Sequence, residues 1–217
     1  MSLSDNANTD PRSVEKDEMK VTAICIRSAG SDLVAYSALD TLVRKMSFQD
    51  SLVSLWREDV WLLGFATGAQ DATETTEMLV ERTGVFVNPN RHRHEVIRSE
   101  EKLPHGTQRG RGELGIVVWS YEDPEIRPVM VAVRERLGVE SLRKARRLTL
   151  WWPGFSENLT DPDDRRDVAS SMVATLSRAK GLLANPHFQG SFLLEKTCSP
   201  AELLGSVTEA EGKVAVK

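Results

Sequence analysis

The sequence predicts an α+β protein made of two tandem copies of one small unit with antiparallel sheets. Three landmarks recur in the same order in both halves of the 217 residues. Their offsets are 94 for the opening strands (21–27 and 115–121), 90 for two Trp- and Gly-containing segments (61–65 and 151–155), and 97 for two Asn-Pro pairs (88–89 and 185–186). Near-constant offsets favour an internal duplication, although any two α/β halves share element order and Asn-Pro is a common turn pair.

The first half contains four segments whose apolar and β-branched residues predict strands. They are 21–26, 51–56, 60–65 and a strand that reaches Ile97. A turn at 57–59 joins the second and third strands as a hairpin. One helix follows the N-cap residue Asp32. Another begins at the capping box of Asp71 and Glu74 and ends at Gly84.

The second half repeats this order. Strands are predicted at 114–121, 147–152 and 191–194, with one helix ending at Gly138 and another running from the N-cap Asp161 to Gly181. Both halves then have the ferredoxin-like order β-α-β-β-α-β, in which four antiparallel strands carry two helices on one face. Because the first strand of each half is apolar on both faces, we expect the two bare sheet faces to pack on each other or on a partner. The alternative is that neighbouring side chains shield each strand.

The composition changes along the chain define five segments. They are a disordered tail (1–19), the first repeat (20–97), a basic linker without apolar periodicity (98–113), the second repeat (114–198) and a tail (199–217) with no more than one helical turn.

The overall composition narrows the class of protein. A net charge of −4 gives no global reason to expect a nucleic acid or an acidic membrane surface as partner. Cys25 and Cys198 cannot form a disulfide framework, which favours a reducing compartment. No segment has the apolar length of a signal peptide or a membrane span. We therefore expect a cytoplasmic protein.

A basic run, 143–147, is the charged feature of greatest interest. Clustered guanidinium groups suit phosphates and carboxylates, so the run indicates contact with an anion or an acidic partner. The alternative is a solvated entrance to a strand. The candidate binding residues are Arg143, Arg146, Arg147 and the two turn asparagines Asn88 and Asn185.

No pattern of catalytic or metal-binding residues stands out. His92 and His94 would share one side of a strand, a spacing that metal sites use, but a third ligand is not evident and a polar strand face explains the pair. The chain has no Ser-His-Asp order, no Gly-rich phosphate loop and no Cys-x-x-Cys. We expect no metal and no cofactor. An enzyme using His92, His94 or His187 as acid or base is a remaining alternative.

Segments 129–133, 137–139 and 142–150, followed by 179–186 with its Leu-Leu-Ala-Asn, carry a family resemblance. Together they are similar to the small (PurS-type) subunit of phosphoribosylformylglycinamidine synthase, which has a helix, a glycine turn and a Val-Arg-x-Gly-Lys segment leading into a strand. Ala145 stands where the family has glycine, Arg146 where it has lysine, and Ser54 where the first half would have the arginine.

The resemblance implies a scaffold without catalytic activity of its own. The family's subunit bridges a glutaminase and an ATP-dependent synthetase in purine biosynthesis, and it self-associates as a dimer. A tandem duplication resembles a covalent version of that dimer, and further homo-oligomerisation is conceivable. An alternative function is a regulatory protein in which paired ferredoxin-like domains hold a small metabolite.

Overall fold

The computed structural model describes residues 19–68, 71–103, 114–175 and 181–214. The strands are β1 (Met19–Ser28), β2 (Leu52–Ala66), β3 (His92–Ile97), β4 (Gly115–Ser120), β5 (Leu142–Phe155) and β6 (Gln189–Leu194). The helices are α1 (Leu33–Lys45), α2 (Ala72–Thr83), α3 (Ile126–Val131), which continues as a π-helical turn (Ala132–Arg136), α4 (Pro162–Val173) and α5 (Pro200–Val214). The N-terminal tail before Met19 and the linker residues 104–113 lie outside the described ranges.

All six strands belong to one antiparallel sheet with the order β3-β1-β2-β5-β4-β6. The two longest strands, β2 and β5, pair at its centre from Leu52 opposite Phe155 to Phe65 opposite Leu142. The α+β class and the antiparallel pairing are therefore confirmed. The two sheets expected to pack face to face are instead one continuous sheet, because the halves join edge to edge through β2 and β5.

The predicted hairpin of the first half is also corrected. Residues 52–56 and 60–65 belong to the single strand β2, so the described part of each half contributes three strands rather than four. The turn predicted at 57–59 contains no glycine, proline or asparagine, which are the residues that most favour a turn. Its charged side chains are satisfied within the sheet: Glu58, 3% exposed, accepts from Trp152 Nε1 at 3.2 Å and pairs with Arg27 at 3.5 Å.

Helices α1 to α4 lie on one face of the sheet. Helix α1 of the first half packs on strands of the second half, and the α3 segment of the second half packs on strands of the first. Leu42 of α1 packs in one buried cluster with Met172 of α4 and Ile116 of β4. Conversely, Val133, just beyond α3, packs in a second cluster with α2 and β1. The two halves are therefore interlocked, and neither has a complete core without the other.

The opposite face of the sheet is covered by α5. Leu203, Leu204 and Val207 pack on apolar residues from β1, β2, β4 and β5. Ser199 and Glu202 form a reciprocal capping box at its start, each side chain accepting from the other's backbone N–H. Residues 199–217, expected to form a tail with one helical turn, thus include a core helix. No helix in the described ranges is long and apolar enough to cross a bilayer.

Candidate binding cleft

A notch in the sheet lies beside the first half of β2. The registered pairing of β1 with β2 ends at Ile26 and Asp59. Strand β2 continues back to Leu52, where β5 is its neighbour on one side. Residues 29–32 leave the sheet at this point and lead into α1. The edge of β2 over residues 54–57 consequently borders an open space rather than another described strand.

A cleft of about 500 Å³ occupies this notch. Four consecutive residues of β2, 54–57, line it, together with Ala35, Tyr36 and Leu39 of α1. Successive side chains of a strand point to opposite faces of the sheet, so four in a row can line one space only when that space follows the strand edge. The cleft therefore gives access to the backbone edge of β2.

Two aromatic side chains stand exposed at the cleft. Tyr36 is 69% and Trp56 52% exposed. Leu33 and Val34, at the start of α1, are exposed as well. Contiguous apolar surface of this kind marks interaction sites more often than scattered single residues do, and tyrosine, tryptophan and arginine are the residues enriched at protein interfaces.

Three arginines line the same cleft. Arg57 Nε lies 3.1 Å from Asp32 Oδ2, and its Nη2 lies 3.5 Å from Asp59 Oδ2. Arg27 pairs with the buried Glu58, which holds its guanidinium at the mouth of the cleft. Arg93 of β3 stands opposite Arg27 in the register of β1 with β3 and is exposed. These contacts fix Arg57 and Arg27 in position, while Arg93 extends from the edge strand.

A second cavity of about 380 Å³ adjoins the loop 28–32. It shares Arg27 and Arg57 with the cleft and adds Arg91 and His92. The His92 Nδ1 atom accepts the backbone N–H of Asn88 at 3.2 Å, which fixes the ring against its turn. Among the lining residues of the two cavities, four arginines face only two carboxylates, those of Asp32 and Asp59.

The corresponding place in the second half is closed. Arg147, offset by 90 from Arg57, pairs with Asp123 at 3.4 Å and with Glu125, and its guanidinium lies 5.9 Å from the Trp61 ring centroid. Next to it, the side chains of Lys144 and Arg146 are bonded to Thr208 and Glu211 of α5.

Burial lowers the pKa of Lys144, and the neighbouring Arg146 guanidinium lowers it further. The helix α5 therefore covers this part of β5, whereas the equivalent part of β2 remains exposed.

The basic run 143–147 does not form one cluster in the structure. Arg146 points towards α5 and Arg147 towards the segment before α3, on the opposite face, since adjacent strand residues alternate. Arg143 is exposed on β5. A partner or an anion that contacts Arg143 would thus find Arg146 and Arg147 already paired within the chain.

The two candidate asparagines build equivalent turns at opposite edges of the sheet. Asn88 Oδ1 accepts the N–H of Asn90 at 3.0 Å, and Asn185 Oδ1 accepts the N–H of His187 at 3.1 Å. These turns lead into β3 and β6, which lie five strand spacings apart, or about 24 Å. The two asparagines therefore do not form one site. Each side chain instead stabilises its own turn through a hydrogen bond to the backbone.

The histidines are equally dispersed. His92 and His94 lie on β3, and His187 lies in the turn before β6 at the other edge. Within the described ranges, no group of three or more His, Cys, Asp or Glu side chains is placed to hold a metal ion.

Cys25 is buried, and burial together with the Glu202 carboxylate raises the pKa of Cys198 to about 11. The described arrangement that can recognise a ligand is therefore the arginine-lined cleft.

The residues of this cleft escaped prediction for a specific reason. The sequence predicts a turn at 57–59, which puts Arg57 in the turn and Trp56 at a strand end. The signal that the sequence offers is Trp56 followed directly by the charged residues Arg57, Glu58 and Asp59.

The chain matches no protein-family model, no curated protein and no solved structure.

Proposed function

We propose that the protein is a non-catalytic interaction protein that joins partner proteins, related to the bridging subunit of phosphoribosylformylglycinamidine synthase. The observation that carries this proposal is the cleft, where exposed Tyr36 and Trp56 stand beside Arg27, Arg57 and Arg93. This is the composition of a protein interface, with anchoring aromatic residues and guanidinium groups held by ion pairs.

A tandem duplication is part of the same proposal. The strand order places β1, β2 and β3 as the counterparts of β4, β5 and β6 about the central pair. The pairs Arg57–Asp32 and Arg147–Asp123 occupy equivalent positions. The turns at Asn88 and Asn185 do so as well. Two fused copies of a three-stranded unit would account for each of these correspondences, including the exchange of α1 and α3 between the halves.

The partners proposed from the resemblance are a glutaminase and an ATP-dependent synthetase of purine biosynthesis. Segment 142–150, which carries part of the resemblance, forms much of β5, the strand that joins the halves. A duplicated subunit would present two related but unequal surfaces, one open at β2 and one covered by α5. Two unequal surfaces can bind two different proteins, whereas a symmetric dimer presents the same surface twice.

Co-purification of the tagged chain with the cognate glutaminase and synthetase tests the proposal. A stable complex with either protein is the expected result, and deletion of the gene should create a purine requirement. If neither protein binds and growth without purines is unchanged, a role in this complex is wrong.

A further inference from the structure

The edge of β2 over residues 54–57, beside which no described strand pairs on the cleft side, is placed to receive another strand. Backbone N–H and C=O groups along residues 54–57 alternate between β5 and the cleft, since antiparallel strands bond each neighbour through alternate residues. A sheet edge of this kind is a template for an added extended segment. An incoming strand would lie in line with β1, beyond the point where its pairing with β2 ends.

The two sides of the cleft differ in chemistry. Tyr36, Leu39 and Leu55 lie on the side of the sheet that carries α1. Trp56 lies on the opposite side, as do Arg27, whose partner Glu58 points that way, and Arg93, which faces Arg27. An extended segment directs its side chains alternately to the two sides. It would thus place apolar side chains on Tyr36 and acidic or aromatic ones on Trp56, Arg27 and Arg93.

The charge of the cleft specifies its occupant. The cleft is lined by three arginines and one carboxylate, Asp32, in a chain whose net charge is −4, and Glu58 pairs with Arg27 from beside it, so the cleft is locally basic on an acidic protein. Each guanidinium has five N–H donors, so an arginine that already has one ion pair keeps donors for a further carboxylate. Basic surface opposite acidic surface also suppresses wrong partners and favours encounter with the right one.

We propose that this cleft binds an extended acidic segment of a partner protein, which adds to the sheet along residues 54–57 of β2 and inserts an apolar side chain beside Tyr36. The inference rests on the proposed function, because it names the surface through which the protein engages one of its partners. The covered counterpart at β5 explains why one such segment binds rather than two.

The first experiment uses a fluorescein-labelled peptide in which glutamates alternate with leucines around one tryptophan. Its matched control carries lysine at every glutamate position. The acidic peptide should bind the full chain, and the lysine peptide should not. Trp56→Ala and Tyr36→Ala should each weaken binding about tenfold, as expected for anchoring aromatic residues.

Matched variants separate the cleft from general surface effects. Phe188→Ala removes an aromatic ring as exposed as Tyr36, 69%, at the distant turn before β6, and should leave binding unchanged. Arg93→Glu should abolish binding of the acidic peptide, whereas Arg143→Glu, an exposed arginine of β5, should reduce it far less. Circular dichroism checks that each variant is folded.

Hydrogen exchange supplies the readout of strand addition. Backbone amides within residues 54–57 should exchange more slowly with the acidic peptide bound. Binding that ignores the charge of the peptide, or that survives Trp56→Ala and Tyr36→Ala unchanged, overturns the inference, as does an absence of binding at about 1 mM peptide, the weak end of specific affinity.

The same variants distinguish this inference from the proposed function. If the glutaminase or synthetase binds wild type and Trp56→Ala equally well, the cleft is not the docking site although the function stands. If neither protein binds while the peptide follows the expected pattern, the proposed function is wrong and the cleft inference stands. Self-association that Trp56→Ala abolishes, with no peptide binding, would assign the edge to a second copy of the chain and overturn the inference.

Discussion

Asp59 and Thr149 face each other at the midpoint of the β2–β5 pairing, and the Thr149 hydroxyl donates to Asp59 Oδ1 at 3.1 Å. The offset between them is 90, the same as that between Arg57 and Arg147, so this pair marks the point about which the two halves of the sheet correspond. The contact joins the halves through side chains as well as through the backbone.

We expect Thr149→Val to lower the free energy of unfolding by about 1 kcal/mol, the net contribution of one hydrogen bond. Asp59 retains Arg57 at 3.5 Å, so the carboxylate is not left without a partner. Thr149→Ser keeps the donor and should cost less. Urea unfolding followed by circular dichroism measures both, and equal stability of Thr149→Val and wild type would contradict the contribution.

The interlocked helices predict a single unfolding transition. Leu42 of the first half packs with Met172 of the second, so loss of either half exposes the core of the other. Tryptophan fluorescence and far-ultraviolet circular dichroism should give coincident urea curves. Two separated transitions would show that the halves fold independently and that the exchanged helices contribute little.

The buried Glu58 carboxylate is expected to be the most sensitive polar position of the sheet. It holds Arg27 and accepts from Trp152, so Glu58→Ala removes the acceptor of a buried indole N–H and one partner of an ion pair. Loss of a buried hydrogen-bond partner costs about 1–3 kcal/mol, and Arg27, 29% exposed, can still be hydrated. Glu58→Gln retains an acceptor for the indole and should cost less. Similar stabilities of the two variants, measured by chemical denaturation, would show that the indole contact has little weight.

Local sequence signals predicted the starts of three helices and the end of α2 well, whereas α4 ends at Val173 and not at the predicted Gly181. Asp32, Asp71 and Asp161 cap α1, α2 and α4 through side-chain oxygens, and Gly84 ends α2 at φ 59°. Each of these depends on residues within a few positions of one another, which is why short-range patterns reveal them. The strand at 114–121 was found for the same reason, because its apolar residues are contiguous.

The features that could not be predicted from the sequence depend on contacts between residues far apart in the chain. The continuity of β2 depends on Glu58 meeting Trp152, 94 residues away, and on β5 alongside it. The cleft exists because β1 stops pairing before β2 ends, which no local pattern encodes. Helix α5 is longer than the single turn that the sequence predicts, although Ser199 and Glu202 form a capping box at its start.

The thiol of Cys198 should react slowly at neutral pH. Burial and the Glu202 carboxylate raise its pKa to about 11, against an ordinary value of 9.0. The thiolate is the reactive form, so at pH 8 its fraction, and the rate of iodoacetamide labelling, should be about 100-fold below that of a free thiol. Cys25→Ser should retain the slow labelling and Cys198→Ser should lose it, as mass spectrometry of the labelled peptides would show.

The same raised pKa gives a direction for stability against pH. The unfolded chain releases the Cys198 proton near pH 9, whereas the folded chain holds it to about 11. The contribution of the protonated thiol is complete below pH 9 and is lost as the pH rises towards 11. Cys198→Ser should therefore lose less stability than wild type over this interval in urea titrations. Parallel curves for the two proteins would contradict the assignment.

Two glycines should respond oppositely to alanine. A Cβ atom at Gly190 of β6 would lie 2.2 Å from the ring of Trp119, a side chain that is 2% exposed and cannot move aside. Gly190→Ala should therefore destabilise the fold by about 1–3 kcal/mol, the usual cost of overpacking a core. At Gly205, inside α5, nothing lies within 4 Å of the added atom. Gly205→Ala should stabilise the protein by about 0.5–1 kcal/mol, because alanine favours the helix. Thermal unfolding of both variants provides the measurement, and a destabilised Gly205→Ala would mean that α5 packs more tightly at this position than the open space around Gly205 indicates.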